Sequence, residues 1–390
     1  MKVQLGVDRL LTDEAERLQG KRFGLLVNQA SVTGDLQYSV DAISKRFPGG
    51  LTALFTPQHG MWGEQQANMI ETSDEVDSRR EIPIYSLYAD VRRPSASMLE
   101  GLDCLVIDLQ DVGTRVYTYI WTLSHCLEAC AEAGVQVLVL DRPNPLGGQI
   151  VEGPTLESDF QSFVGRYEIP MRHGLTVAEF ATWANEEYEI GADLSAILMQ
   201  GWERSLGFSE SGLIWVPPSP NMPRLETALL YPGMVLLEGT NLSEGRGTTR
   251  PFEVLGAPFI DAELLARELK HFEWPGLEIL PTRFEPTFDK WQGQSCGGVA
   301  FYITDDESAL RSYKLVIAIL AIVRKHWAQE FEWLPPPYEY EYEKPPIDIL
   351  SGSDGLRLAL ENDVHPREVL DKHSGSGDDW LERAKSYLHY

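Results

Sequence analysis

A chain of 390 residues is too long for one ordinary hydrophobic core, so two domains are the starting expectation. Its 43% hydrophobic and 10% aromatic content is that of a folded globular protein, not a disordered one. The formal charge of −26, scattered along the sequence, repels nucleic acid and anionic membranes and sets both aside as partners.

The amino terminus, MKVQLGVDRLLTDEAERLQG, is amphipathic and acidic, with no unbroken apolar core and no small-residue cleavage site. No later run approaches the roughly 20 apolar residues of a membrane span, and a cytoplasmic location is expected. Short apolar runs then alternate with helical patterns. RFGLLVNQ (22–29) reads as a strand and YSVDAISKRF (38–47) as a helix. LTALFTPQHG (51–60) is a second strand leading into a polar loop, and DCLVIDLQD (103–111) a third. The helical pattern TYIWTLSHCLEACAEAG (118–134) follows, then a fourth strand, VQVLVLDRPNP (135–145). Continuous hydrophobicity means strands buried on both faces, as in a parallel sheet covered by helices, so the fold class is α/β.

The four strands end in hydrogen-bonding side chains. They are Asn28 and Gln29, then Gln58 and His59, then Asp108, Gln110 and Asp111, and finally Asp141, Arg142 and Asn144. Open α/β sheets bind ligands at such ends, although Asp and Asn also start turns and cap helices. A nucleotide is not the expected occupant. NQASVTG follows the first strand in place of G-x-G-x-x-G, and no P-loop pattern occurs. The four cysteines, Cys104, Cys126, Cys130 and Cys296, lack metal-site spacing and read as reduced thiols.

The proline-rich VPPSPNMP (216–223) marks the crossing between a first domain, 1–218, and a second, 219–390. In the second, LLEGTNLSEGRGTTRPFE (236–253) gathers Glu238, Asn241, Glu244, Arg246 and Arg250 among glycines. That is the make-up of a loop approaching a polar ligand. DAELLARELKHF (261–272) and SYKLVIAILAIVRKHW (312–327) are helical, while LEILPTRFEPT (277–287) and CGGVAFYITD (296–305) are strands, giving a smaller α+β domain. The acidic, aromatic tail from PPPYEYEYEKPP onward is expected to pack along the surface.

Seven segments taken together, TPQHGMWGE, IDLQDVGTRVYTYI, LDRPNPLGG, VEGP, IPMRHGLT, WVPPSPNMP and EGTNLSEGRGTTRPFE, carry a family resemblance. The chain resembles the exo-β-N-acetylmuramidase family of peptidoglycan hydrolases from about residue 20 to the carboxyl end. The resemblance implies a Rossmann-like first domain, a smaller second domain and an active cleft between them, with 238–253 reaching into it. It implies release of N-acetylmuramic acid from the non-reducing end of wall saccharides such as muropeptides or MurNAc-GlcNAc fragments, without a cofactor or metal. Oligomeric state is left open.

Glycoside hydrolysis normally uses two carboxyl groups, one of them protonated. Candidates are Glu64, Asp108, Asp111, Glu152, Glu238 and Glu244. Many family members carry Glu-His-Gly where this chain has Gln58-His59-Gly60, and an amide cannot donate that proton. Glu64 is therefore the expected donor, with Asp108 or Glu244 as second carboxylate. The lactyl carboxylate of muramic acid calls for a fixed cation, from Arg142, Arg246, Arg250 or Arg115. His59 and His173 are candidates to position a carboxyl group or bind a hydroxyl. Tyr117, Tyr119 and Trp62 either stack on a sugar or pack. Asn28, Gln58, Asp141, Asn144 and Asn241 complete the expected binding set. Two other readings stay open: a non-catalytic muramyl-sugar binder, and a glycosidase for another acidic amino sugar.

Overall fold

The computed structural model describes residues 2–64, 71, 73–89, 91–304, 307–362, 366–373 and 378–390. Twelve strands occur among them. They are Phe23–Val27 (β1), Leu51–Thr56 (β2), Glu75–Asp77 (β3), Ile82–Ser86 (β4), Cys104–Asp108 (β5) and Gln136–Leu140 (β6), followed by Glu152–Thr155 (β7), Pro170–Arg172 (β8), Leu194–Ile197 (β9), Val254–Ala257 (β10), Leu277–Phe284 (β11) and Cys296–Ile303 (β12). Seven form one sheet in the order β3-β4-β2-β1-β5-β6-β9, parallel throughout except for the antiparallel edge strand β3.

Both faces of this sheet are buried, which is why its central strands read as unbroken apolar runs. Leu25 and Val27 of β1, Cys104 and Val106 of β5, and Leu138 and Leu140 of β6 join one apolar cluster. It includes Val7 and Leu10 of the helix Gly6–Leu11, and Val40 and Ile43 of the helix Ser39–Arg46. The alternate residues, Leu26, Leu105, Ile107, Val137 and Val139, join a second cluster with the helices Tyr119–Ala133 and Val177–Glu187. That second cluster continues without a break into the carboxyl-terminal half, around the buried helix Ser312–His326. There β10, β12 and β11 make a separate antiparallel sheet, and β7 and β8 a two-stranded ribbon. The architecture is thus an α/β domain built on a largely parallel sheet, plus a smaller α+β domain. Strands β3, β9 and β10 carry too few residues to stand out as apolar runs, and in β4 (IPIYS) a proline and a serine break the run. Among the described residues no helix is long and apolar enough to cross a membrane. All four cysteines are buried and unpaired.

The polar strand ends are wired mostly to the protein itself. Asp108 is fully buried and takes two hydrogen bonds from Arg142, Nε at 2.6 Å and Nη2 at 2.9 Å. Asn28 Nδ2 donates to the Gln110 carbonyl at 3.1 Å. Asn144 donates to the Leu175 carbonyl and accepts from the Leu146 amide, closing a turn. Asp141 accepts from the Ala178 amide at 3.0 Å and from the hydroxyl of Tyr390 at 2.6 Å. Burial pushes the Asp141 carboxyl up to about 7, the Tyr390 hydrogen bond working against it.

Arg115 is 0% exposed and ties the two halves together. Its guanidinium donates to the carbonyls of Pro154 (2.8 Å) and Ile169 (2.9 Å) and, in the second half, of Leu350 (3.0 Å). Burial pushes its pKa down to about 10. Replacing Arg115 by Leu strips three buried carbonyls of their donor, each costing about 1–3 kcal/mol. A loss of roughly 3 kcal/mol or more is expected, read as a lower urea midpoint.

Asp141 makes stability depend on pH. An unfolded Asp titrates near about 4, whereas folded Asp141 does so near about 7. Between those values only the folded state holds the proton. The contribution is therefore complete below the unfolded value and is lost as pH rises through the folded one. Urea midpoints should fall between pH 5 and 7 with a slope approaching about 1.4 kcal/mol per pH unit from this group. Asp141→Asn should flatten that slope.

Candidate active site

A cleft opens between the two halves beside the carboxyl end of β2. It spans about 470 Å³ of non-atom space, part of it open to solvent. From the first half come Gln58 and His59, and the turn 116–119 that enters the helix Tyr119–Ala133. Ser219 and Asn221 of the proline-rich bend form one edge. The second half supplies Tyr231, Glu238, Arg246, Phe252, Tyr338 and Glu339.

The loop after β2 turns sharply, with His59 at φ 74° and Gly60 at φ 71°. A left-handed non-glycine residue is uncommon and points to a fixed local geometry. Gln58 is buried, and its Oε1 accepts from the Thr118 hydroxyl at 2.8 Å, so its amide nitrogen is the group left to donate. Tyr117 and Tyr119 lie with ring centroids 4.6 Å apart, and Tyr231 meets Tyr117 edge-on at 6.0 Å. Burial raises all three phenols, keeping them neutral. Asp111 lies close enough to act on these phenols electrostatically. It accepts from the Gly113 amide at 2.6 Å, and burial pushes its carboxyl up to about 7.

On the opposite side a line of alternating charge runs from behind the wall into the cleft. Lys290 Nζ lies 2.8 Å from Glu244, Glu244 lies 3.4 Å from Arg246, and Arg246 Nη2 donates to Glu238 at 2.7 Å. Tyr338 ends the line, its hydroxyl donating to the other Glu238 oxygen at 2.7 Å. Burial opposes the Glu244 charge, but Lys290 and Arg246 outweigh it and hold its carboxyl below the usual range. Burial likewise opposes the Arg246 charge, and Glu238 and Glu244 outweigh that, raising its pKa. The Arg246 guanidinium also lies 5.1 Å from the Phe252 ring centroid.

Of the residues singled out in the sequence, Gln58, His59, Tyr117, Tyr119, Glu238 and Arg246 line this cleft. The three carboxylates expected to do the chemistry sit elsewhere. Glu64 is exposed, Asp108 is sealed against Arg142, and Glu244 is buried behind Arg246 and Lys290. Glu152 is buried beside Arg172 at 3.3 Å and accepts from the Tyr313 amide. Asn241 bonds the chain at Glu330 and Glu332. Arg250 reaches the Phe301 carbonyl and the Tyr302 hydroxyl rather than the cleft. His173 is buried, its Nδ1 accepting from the Leu175 amide; burial, with repulsion from Arg115 and Arg204, pushes it down to about 3. Trp62 is exposed and meets Tyr38 edge-on.

The tail does not stay on the surface. Tyr338 and Glu339 turn inward, and Glu339 is only 4% exposed. Its carboxylate accepts from the Tyr88 hydroxyl at 2.9 Å. Sequence reasoning missed Glu339 because alternating Glu and Tyr has the look of a solvated strip. The one available signal was the aromatic content of that strip, which is higher than a purely solvated segment needs. Among the described residues no cluster of His, Cys, Asp or Glu is arranged to hold a metal.

Comparison with known proteins identifies the family and the fold. Models described as "Exo-beta-N-acetylmuramidase NamZ, N-terminal" and "C-terminal" match residues 23–226 and 229–390. The peptidoglycan beta-N-acetylmuramidase NamZ of Bacillus subtilis (strain 168) is 41% identical over 389 residues, covering 100% of this chain and 92% of that protein. Two crystal structures of DUF1343 family proteins from Bacteroides fragilis NCTC 9343 share the fold. One has a TM-score of 0.89 at 30% identity and the other 0.78 at 26%, each match covering 100% of this chain and 99% of the other. This chain belongs to the exo-β-N-acetylmuramidase family.

Proposed function

We propose that the protein is an exo-acting β-N-acetylmuramidase, a glycoside hydrolase that removes terminal non-reducing N-acetylmuramic acid from peptidoglycan fragments. The observation that carries this reading is a cleft between the two halves in which Glu238 and Glu339 occupy unlike surroundings. Glu238 is bound to Arg246, whereas no lysine, arginine or histidine among the described residues forms an ion pair with Glu339. Two carboxyl groups in different states are what hydrolysis of a glycosidic bond requires. The full-length similarity to a peptidoglycan muramidase supports the choice of sugar.

The finer assignments follow from the walls of the cleft. Arg246 offers positive charge toward the lactyl carboxylate that distinguishes muramic acid from N-acetylglucosamine, while keeping Glu238 oriented. Gln58 acts as a hydrogen-bond donor to the sugar, its carbonyl being committed to Thr118. The tyrosines supply the apolar surface against which a pyranose packs. Small muropeptides or MurNAc-GlcNAc fragments suit a narrow cleft between two halves better than intact wall does, and recycling of imported fragments in the cytoplasm fits that substrate.

The amide at Gln58 is the feature that favours a second reading, a muramyl-sugar binder without turnover. Hydrolysis separates the two. The purified protein should release the aryl group from an aryl β-N-acetylmuramide with kcat/KM at least about 100-fold above that for the matching N-acetylglucosaminide, because a site built around the lactyl carboxylate is left unpaired without it. Muramic acid binding without release from either substrate would establish the binder instead.

A further inference from the structure

We infer that Glu339 is the proton donor of this cleft, supplied by the carboxyl-terminal half and positioned by Tyr88 of the amino-terminal half. The inference rests on the hydrolase reading above and names the residue that performs its first step. Departure of a sugar oxygen needs a carboxyl group that is inside the cleft and still carries its proton. Gln58 has no such proton. Glu238 faces the cleft but is bound to Arg246 at 2.7 Å. Glu339 alone among the cleft's carboxyl groups has no cation at ion-pair distance among the described residues, and its hydrogen bond comes from a neutral phenol. The groups acting on it are the Tyr88 hydroxyl, the Glu238 carboxylate, and the Arg246 and Arg92 guanidiniums. Burial is the largest influence and pushes the carboxyl up to about 7; Tyr88 opposes it and the Glu238 charge adds to it.

The backbone shows that this placement is built. Glu339 and Tyr340 both sit in the left-handed region, at φ 44° and 68°, without being glycine. Such positions are unfavourable for residues other than glycine and persist where the surroundings enforce them. Here the Arg92 guanidinium lies 4.4 Å from the Tyr88 ring centroid and 4.5 Å from that of Tyr340. Arg92 thereby clamps both the hydrogen-bond donor to Glu339 and the residue that follows it. On the other side, Tyr338 is anchored to Glu238. The strained turn therefore aims two successive side chains at one cleft. Tyr338 orients the arginine-bound carboxylate of Glu238 and Glu339 presents the proton donor.

In the reaction, Glu339 gives its proton to the glycosidic oxygen as the bond from C1 breaks and leaves its electron pair on that oxygen. A water contributes hydroxyl to C1 of the released muramic acid, and its remaining proton restores Glu339. Net, one water is consumed and no other reactant is needed.

The test compares wild type with Glu339→Gln on a MurNAc-GlcNAc disaccharide and on a dinitrophenyl β-N-acetylmuramide, whose leaving group departs without a proton. Turnover of the disaccharide should fall about 10²–10⁴-fold, while that of the dinitrophenyl substrate should fall less than about tenfold by the same reasoning. The basic limb of kcat/KM, near pH 7 in the wild type, should vanish in the variant. Tyr88→Phe removes the hydroxyl that stabilises the ionised carboxylate, so it should move that basic limb upward. This variant decides the matter even where Glu339→Gln does not fold. Full disaccharide turnover by Glu339→Gln, equal losses on both substrates, or an unmoved limb in Tyr88→Phe would overturn the assignment alone. A wild type inert toward both muramides would overturn the hydrolase reading, and this assignment with it.

Discussion

One guanidinium between two glutamates holds the cleft in shape. Arg246 is nearly buried, and taking its charge out of water costs several kcal/mol unless partners surround it. Glu238 and Glu244 supply those partners, and Lys290 balances the second glutamate. Each member would leave an uncompensated buried charge if removed, so the line behaves as a unit. The loop can present it only because its glycines fold tightly. Gly245 and Gly247 have φ of 85° and 77°, and a Cβ on Gly247 would lie 2.4 Å from the Phe288 carbonyl oxygen. The consequence for chemistry is a division of states. Glu238 is committed to a cation, whereas Glu339, in the same cleft, has none at ion-pair distance among the described residues.

The same accounting explains why the polar ends of β5 and β6 are taken up largely by the protein itself. A buried charge must find a partner, and a protein that ends several central strands in charged groups has to pair them internally. Asp108 takes Arg142, and Asp141 takes a backbone amide and the last residue of the chain. Once these are wired, Asp108 and Asp141 are closed off, while Gln110 and Arg142 line a separate pocket with Ala30 and Val32. The cleft between the halves is displaced toward the end of β2, where Gln58 and His59 meet the second half.

That displacement marks how far the sequence could be read. Strands β1, β2, β5 and β6 and the helix Tyr119–Ala133 were legible because apolar runs and helical spacing are local properties of the chain. The loop at 238–253 was legible for the same reason, since its glycines, glutamates and arginines are contiguous. The fate of individual carboxylates was not. Asp108 is neutralised by a residue 34 positions away, and nothing at either end announces the pairing, whereas Glu244 pairs with Arg246 in its own loop as well as with Lys290, 46 positions away. Glu339 is the extreme case, 251 positions from the tyrosine that holds it. Its neighbours Tyr338, Tyr340 and Tyr342 look alike in sequence. Yet Tyr342 is 70% exposed, whereas Tyr338 is hydrogen-bonded to Glu238.

Drawing the acid from the far half has a structural consequence. Tyr88, Gln58 and Thr118 belong to the first half, while Glu238, Arg246 and Glu339 belong to the second. Neither half alone contains both the Glu339 carboxyl group and the hydroxyl that orients it. The raised pKa of Glu339 exists only while the two halves shut water out of the cleft, since burial is its main cause. Arg115, pinned to carbonyls on both sides, and the unbroken apolar cluster beneath the sheet fix that arrangement. The interface that stabilises the fold therefore also sets the proton affinity of the cleft. A loosened interface would hydrate Glu339, ionise it near neutral pH and remove the proton the reaction needs, without any change to the residues that bind the sugar.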